Sequence, residues 1–431
     1  MNAKRWANIP RELFNWITFL AQSLPARSVR TFIELLIGAM LTPAGFVTEA
    51  YLMLDMRNHW TSYYKWLQKG KWSWLALVNQ FLRLALSLHG EDVIHLAIDD
   101  TLTLRASKKA PASQIHHQHG NKANLAKFVR GQCFVSLAMV VKRGARQFVA
   151  IPLLNRLSPS AGNTGKLRAA QVLIRAIYQR FLGKPVRVLM DSWYMRQSLI
   201  ETLCGYGFAV IGQVRIDTRL CDSPPPRKPG QRGRPRKYGD PYTPKRIAHL
   251  KRTEVTLWLH GREQKVRYRS KVLMARFLSD RQVRAVWCEY WDSKKQDWKA
   301  ERLLLSTDIS LTAEEVIDSY SRRWAIETLF HELKQSWGMK EAWQQTRQVL
   351  SRWVHITSIG YGLIQLLALA GGNATKELSQ ISPWRSQQPI TAGRVRQGLA
   401  RQLRHVNVRG WWNATCRKFE PPNDEFLSDI G

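Results

Sequence analysis

The chain specifies an α/β protein with a helical N-terminal part and a β-rich interruption of its central sheet. Three observations point there. Two short apolar runs, 93–100 and 186–191, each end in acid, as buried strands do. Apolar residues recur at three- and four-residue intervals over the first 88 residues and again after Thr312. A Pro- and Arg-rich stretch, 224–237, separates the early strands from a group of short alternating runs.

In chain order, 11–20, 29–40 and 72–88 read as amphipathic helices punctuated by Pro10, Pro25 and Pro43. The run from Val93 to Asp100 is the first strand. Segments 133–141 and 147–152, joined by Lys142-Arg-Gly-Ala, form a hairpin. A helix follows over 165–182, then the strand 186–191. A short helix over 195–204 is stopped by Gly205 and Gly207, and the fifth strand is 208–214. The order is β-β-β-α-β-α-β. Residues 224–237 contain no acid and no apolar period, so they form a solvated or ligand-ordered loop. Runs at 255–259, 264–269, 283–291 and 301–306 make a β-rich insertion. Helix resumes at the capping box Thr312-Ala-Glu-Glu315 and runs to about Gln335, and a second apolar helix covers roughly 350–369.

Of 431 residues, 66 are Lys or Arg and 32 are Asp or Glu, a net charge of +34. Such a surplus strains a compact fold by self-repulsion and suits a polyanionic partner. Without a basic amphipathic anchor, nucleic acid is favoured over a membrane surface. A 45% apolar content excludes global disorder. Five scattered cysteines with no Cys-x-x-Cys pair argue against a disulfide framework and a Cys-based zinc site, with Cys133 and Cys204 expected in the core. No signal-peptide layout opens the sequence, so a cytoplasmic, nucleoid-associated setting is expected. The apolar stretch 354–370 is interrupted by His355, Thr357, Ser358 and Gln365, which fits a buried helix and no membrane partner.

Asp100 ends the first acid-terminated run and Asp191 the second, and the strand order makes these strands neighbours in mid-sheet. Two carboxylates side by side repel, and a divalent cation removes that cost. Asp99 competes with Asp100, because successive strand residues face opposite ways, and the strand pattern alone does not choose between them. A third acid comes from the helix after the insertion. With Tyr320 at zero and about 100° per residue, Arg323, Glu327 and Lys334 fall near −60°, −20° and −40°, whereas Glu332 falls near 120°. Three carboxylates from two strands and a helix can hold two metal ions about 4 Å apart. Arg323 and Lys334 then contact flanking phosphates.

The spacing Tyr320-x₂-Arg323-x₃-Glu327-x₆-Lys334 resembles the Y-R-E-K signature of bacterial insertion-sequence transposases of the DDE superfamily. Ile98-Asp-Asp100-Thr and Leu189-Met-Asp191 are similar to that family's first two acid motifs, over roughly residues 90–370. The resemblance favours Asp100 as the first acid. It implies an RNase H-like mixed sheet with flanking helices and a β-rich insertion. It also implies catalytic and metal-holding roles for Asp100, Asp191 and Glu327, with two Mg²⁺ ions for which Mn²⁺ substitutes. Tyr320 and Lys334 match phosphate-contacting positions, and an aromatic of the insertion holds a flipped base, with Trp291 favoured over Trp287 and Trp298. The expected activity is cleavage at terminal inverted repeats of double-stranded DNA and transfer of 3′-OH strands to target DNA by a homodimer. A nuclease without strand transfer and a non-catalytic DNA-binding protein on a decayed scaffold are the alternatives.

The expected organisation is a helical DNA-recognition domain at 1–89 and a catalytic domain split between 90–215 and 312–372. The basic loop and insertion occupy 216–311, and a basic C-terminal region, 373–431, serves DNA binding or dimerisation. Arg232-Gly-Arg234-Pro has the form of an AT-hook, whose guanidiniums enter a narrow A·T-rich minor groove. His116-His-Gln-His119, with Lys122 close behind, lacks a nearby acid or Cys and reads as a phosphate-contacting turn rather than a metal site.

Overall fold

The protein is described from a computed structural model, covering residues 8–117, 126–145, 147–159, 163–227, 229–230, 232–279, 281–385 and 387–422. Five helices lead: α1 (Arg11–Ala21), α2 (Ala26–Leu41), α3 (Val47–Leu52), α4 (Trp60–Lys69) and α5 (Trp74–Ser87). Next come β1 (Ile94–Leu104), β2 (Gln114–His117), β3 (Phe128–Arg143), β4 (Gln147–Leu157), α6 (Asn163–Ile177), β5 (Val186–Met190), α7 (Gln197–Gly205) and β6 (Ala209–Val214). The insertion supplies β7 (Leu220–Cys221), α8 (Pro244–Ala248), β8 (Thr253–Leu259), β9 (Arg262–Ala275), β10 (Gln282–Asp292), β11 (Asp297–Trp298) and β12 (Arg302–Ser306). The chain then returns through α9 (Ala313–Arg322), α10 (Trp324–Ser336), α11 (Arg347–Ala370), α12 (Asn373–Ser379) and α13 (Ala392–Leu403).

The sheet runs β4-β3-β1-β5-β6-β12-β10-β9-β8, with β2 sharing the β4 edge of β3. β1, β5 and β6 are parallel, and β3 and β4 are antiparallel. This is the RNase H-like mixed order. The insertion does not build a sheet of its own: β12 pairs antiparallel with β6 and carries β10, β9 and β8 outward in one continuous surface. Alternating runs announce strands but not their partners, so the sequence could not show this.

One face of the sheet holds α6 and α7. The other holds α9, α10 and α11, with the N-terminal helices beyond them. Leu189, Ile211, Val286, Leu304, Val316 and Ile317 lock α9 under the parallel strands. The larger core cluster joins α1, α2 and α5 to α11, β3 and β4, so the N-terminal helices share their core with the central sheet. Arg352 of α11 reinforces this by donating to the carbonyls of Leu67, Gly70 and Trp72 at 2.7–2.8 Å. Helix α11 is 24 residues, long and apolar enough to cross a membrane, and 78% of its apolar window is buried inside the protein.

Three local features differ from the sequence expectation. β1 does not end at Asp100 but continues to Leu104, paired with 131–134 of β3; only its parallel ladder with β5 stops, at Ile98–Met190. Of the segment 116–119, read as a phosphate-contacting turn, His116 and His117 belong to the edge strand β2, and the rest lies outside the described residues. The helix after the insertion is interrupted at Arg323, whose N–H bonds the Tyr320 carbonyl three residues back, at 3.1 Å. Its start is as expected: Thr312 Oγ1 accepts from the Glu315 N–H, and Glu315 Oε2 accepts from the Thr312 N–H at 2.7 Å. Such caps contribute about 1 kcal/mol. At the far end, Gly338 takes φ +67° and lies against Gly45, where a Cβ on Gly45 would sit 1.8 Å from the Gly338 carbonyl oxygen. Only two glycines allow that approach.

Candidate active site

The end of the β1–β5 parallel ladder places acids from distant parts of the chain together. Asp99 and Asp100 leave β1 on opposite faces, as alternation requires. Asp99 points to the α9–α10 face, where Arg323 Nη1 donates to its Oδ2 at 3.0 Å. The same guanidinium donates through Nη2 to Glu327 Oε1 at 2.5 Å. Arg323 therefore ties strand β1 to helix α10 across 224 residues of chain. Its side chain is only 12% exposed, and Asp99 15%. Arg322, beside it, turns away to Glu91 and Asp318.

Asp100 points to the α6 face. Its Oδ2 accepts from Lys166 Nζ at 2.8 Å, and its Oδ1 accepts from the Tyr194 hydroxyl at 2.9 Å. The Cys133 thiol donates to it at 3.3 Å. Lys166 also lies 4.9 Å from the centre of the Trp193 ring. Asp191 follows β5 directly and caps the turn beyond it, its Oδ1 accepting from the N–H groups of Trp193 and Tyr194 at 3.0 and 3.1 Å.

The electrostatics show carboxylates sharing a confined space. Burial, followed by the charge of Asp191, pushes Asp99 up to about 7 despite Arg323. Burial also raises Asp191, with the Tyr194 N–H and Arg323 opposing it and Asp100 adding to it. Burial works against the charge of Lys166, but Asp100, Cys133 and Asp191 together overcome it and lift the amine above its ordinary value. For Arg323, Tyr320, Asp99 and Glu327 together overcome burial and raise it. Burial and then Asp100 raise the Cys133 thiol, which makes it a neutral donor. Like charges held close are tolerated where cations face them, and here Arg323 and Lys166 do so.

The arrangement brings together Asp99, Asp191, Arg323 and Glu327, with Asp100 on the other side of the same strand. Among the described residues no three His, Cys, Asp or Glu side chains stand close enough to hold a metal ion as they are arranged. The Glu327 carboxylate is engaged by Arg323 instead. Tyr320 is half-buried, its ring centre 5.8 Å from the Arg323 guanidinium carbon. Lys334 lies half-buried in the last turn of α10. Glu332 turns away and accepts from the Tyr361 hydroxyl at 2.5 Å.

Other expected residues lie elsewhere. Trp291 meets Trp298 across β10 and β11, ring centres 5.3 Å apart, and Trp287 is 1% exposed in the core. From the insertion, His260 in the left-handed turn between β8 and β9 reaches α10, with its ring 6.1 Å from the exposed Trp324. Burial lowers His260, and the charges of Arg323 and Glu327 both act on it. Arg232 and Arg234 are exposed. Lys122 and His119 lie outside the described residues.

Sequence reasoning missed Lys166, Tyr194 and the bridging role of Asp99. A single lysine in an amphipathic helix carries no signal of its own. The Asp-Asp pair was a signal that strand alternation alone could not resolve.

Comparison with known proteins bears on the same residues. The chain matches no curated protein. Among solved structures it is similar to a piggyBac transposase in a synaptic complex with hairpin DNA, at 12% identity and a TM-score of 0.38. That match covers 83% of this chain but spans only 59% of the transposase chain. Residues 20–272 match the family described as DDE superfamily endonuclease, a span that includes Asp99, Asp100, Lys166 and Asp191 and stops before Glu327. With more than half its length matched, the chain belongs to the DDE superfamily endonucleases.

Proposed function

We propose that this chain is a DNA transposase of the bacterial insertion-sequence type, carrying the Y-R-E-K signature at Tyr320, Arg323, Glu327 and Lys334. It binds terminal inverted repeats through residues 1–89, cleaves at the element ends and joins the freed 3′-OH to target DNA. Synapsis of two ends requires a homodimer on double-stranded DNA, acting in the cytoplasm on the nucleoid. The observation that carries the reading is the Arg323 bridge, which holds Asp99 and Glu327 together beside Asp191.

The donor types suit a hard divalent cation: Asp100, Asp191 and Glu327 offer carboxylate oxygens, and burial, with the charge of Asp100 adding to it, raises Asp191. Asp100, Asp191 and Glu327 would hold Mg²⁺, two ions at full occupancy, with Mn²⁺ substituting. When bound, the metal lowers the pKa of the attacking water or 3′-hydroxyl and stabilises the departing 3′-oxygen. The rest falls to the chain. Asp99 anchors Arg323, which sets the direction of Glu327. Once Glu327 is engaged elsewhere, the second arm of Arg323 is free for a phosphate oxygen, which its planar fork suits. Lys166, released from Asp100 in the same way, presents its ammonium to the scissile strand. Tyr320 and Lys334 contact phosphates on either side. Cleavage breaks the P–O3′ bond with a water oxygen bonding to phosphorus, and strand transfer repeats the displacement with the 3′-oxygen as nucleophile.

Labelled element-end DNA incubated with the chain, supercoiled plasmid and Mg²⁺ tests this. The expected result is end cleavage followed by labelled joined product. Cleavage with no joined product would leave a nuclease without strand transfer, and DNA binding without cleavage would leave a decayed scaffold.

A further inference from the structure

A cavity of about 550 Å³ opens outside the C-terminal ends of β5 and β6, the place where open α/β sheets bind their ligands. Ser192, which directly follows Asp191, forms part of its wall, so the cavity adjoins the acid site. Among the described residues four arginines line it: Arg196 at the start of α7, Arg215 directly after β6, and Arg219 and Arg276 from the insertion. Backbone pairing holds the last two side by side. Leu220 of β7 pairs with Ala275 of β9, and the Arg276 N–H donates to the Arg219 carbonyl at 3.1 Å.

Asp217 is the one acid among the described residues of the lining, and Arg215 already donates to both its oxygens, at 2.7 and 3.0 Å. Arg196, Arg219 and Arg276 are exposed, and among the described residues their side chains make no ion pair or hydrogen bond. Arg196 also stands against a local rule. It occupies the N-cap of α7 and makes no capping bond. A guanidinium cannot accept from the N–H groups there, and its charge adds to the positive end of the helix. Local conflicts of this kind are expected where the chain serves a ligand. Three unpaired guanidiniums around one hollow raise the energy of the free protein, and an anion seated among them lowers it. The cavity rim also carries the Arg-rich stretch 224–237. Tyr238, the next residue, donates its hydroxyl to the Arg276 carbonyl at 3.2 Å, and the Gly239 N–H closes the loop on the Asp222 carbonyl at 2.9 Å.

We propose that this cavity binds backbone phosphate of DNA through Arg196, Arg219 and Arg276, on the strand that lies over Asp191. The strand then runs from the acid site across the ends of β5 and β6 toward the Arg-rich stretch 224–237. This rests on the DNA-cleaving reading of the site and adds to it the direction in which the DNA leaves. Planar guanidiniums suit bidentate binding of phosphate oxygens. Phosphate contacts carry no sequence information, and every phosphate neutralised releases counterions, so the site has a signature separable from folding.

Fluorescence anisotropy of the full chain with two fluorescein-labelled duplexes, one all A·T and one all G·C, titrated over KCl without divalent metal, reads that signature. The triple variant carrying Arg196→Ala, Arg219→Ala and Arg276→Ala should bind both duplexes more weakly and by the same factor. The slope of log K against log salt should become shallower by about 0.9 for each phosphate that is no longer neutralised. Melting temperature should stay the same or rise, because like-charge crowding is relieved. Lys299→Ala removes an exposed cation that already faces Asp292 at 3.8 Å, outside the cavity, and should leave slope and affinity at wild-type values. Wild-type slope and affinity in the triple variant would overturn the phosphate site while leaving the DNA reading intact. A loss confined to one duplex would overturn the assignment to phosphate. Failure of the wild-type chain to bind either duplex would overturn both readings.

Discussion

Asp191→Ala should abolish DNA cleavage, lowering the rate by at least about 1000-fold, or ~4 kcal/mol of transition-state stabilisation. The same variant should bind DNA as tightly as the wild type or more tightly. Asp191 sits where burial and Asp100 raise it and where its charge in turn raises Asp99. Removing it takes a donor from the proposed cation site and an anion from the path of the DNA phosphates, so the two readouts move in opposite directions. Its other bonds, to the N–H groups of Trp193 and Tyr194, organise the turn after β5. Asp191→Asn keeps an oxygen for those bonds and should show the same catalytic loss with the turn intact. Gel-shift and cleavage assays on the same end substrate measure both quantities. Loss of binding in step with cleavage would point to a folding defect, and retention of cleavage would remove Asp191 from the chemistry.

Arg323→Ala carries the second large effect, this time on stability. The guanidinium is nearly enclosed and satisfies Asp99 and Glu327 at once. Truncation leaves the Asp99 and Glu327 carboxylates beside Asp191 without the guanidinium that pairs with both. Breaking a buried pair by removing one partner costs roughly 3–5 kcal/mol, because the remaining charge is uncompensated. We expect a loss near the lower bound, since Glu327 is 36% exposed and partly solvated. The distinguishing feature is its response to cation. Millimolar Mg²⁺ should restore part of the melting-temperature deficit in Arg323→Ala and raise that of the wild type less, because the metal takes over the charge balance that Arg323 provides. Thermal unfolding with and without Mg²⁺ checks this. A variant as stable as the wild type, or one whose deficit ignores Mg²⁺, would show that the bridge does not hold a cation-binding set together.

Much of the fold could be read from the chain because strands and helices leave different apolar periods. Val93–Ile98 and Val186–Met190 are apolar runs broken by His95 and Arg187, close to the continuous pattern of strands covered on both sides. The Thr312–Glu315 cap announced α9 by its own chemistry. Helical spacing separates Glu327 from Glu332 even though the helix is interrupted at Arg323, since a single tightened turn shifts the angle less than the separation of the two acids. What escaped has physical causes. The extension of β1 to Leu104 was present as the alternation Thr-Leu-Thr-Leu, but the acids broke the apolar run ahead of it. The pairing of β12 with β6 is a long-range event with no local signature. Asp99 and Asp100 look alike in one dimension, and only the positions of Arg323 and Lys166, 224 and 66 residues further along, separate their surroundings. Trp287 looks like the other insertion tryptophans until packing buries it.

The measurement that bears most directly on the convergence of the acids is anomalous scattering from a crystal of the chain with DNA and Mn²⁺. A manganese peak is expected within coordination distance of Asp100 and Asp191 oxygens, with Glu327 turned off Arg323 toward the ion. A peak held by other residues, or none beside these carboxylates in a complex whose DNA is ordered at the site, would contradict it.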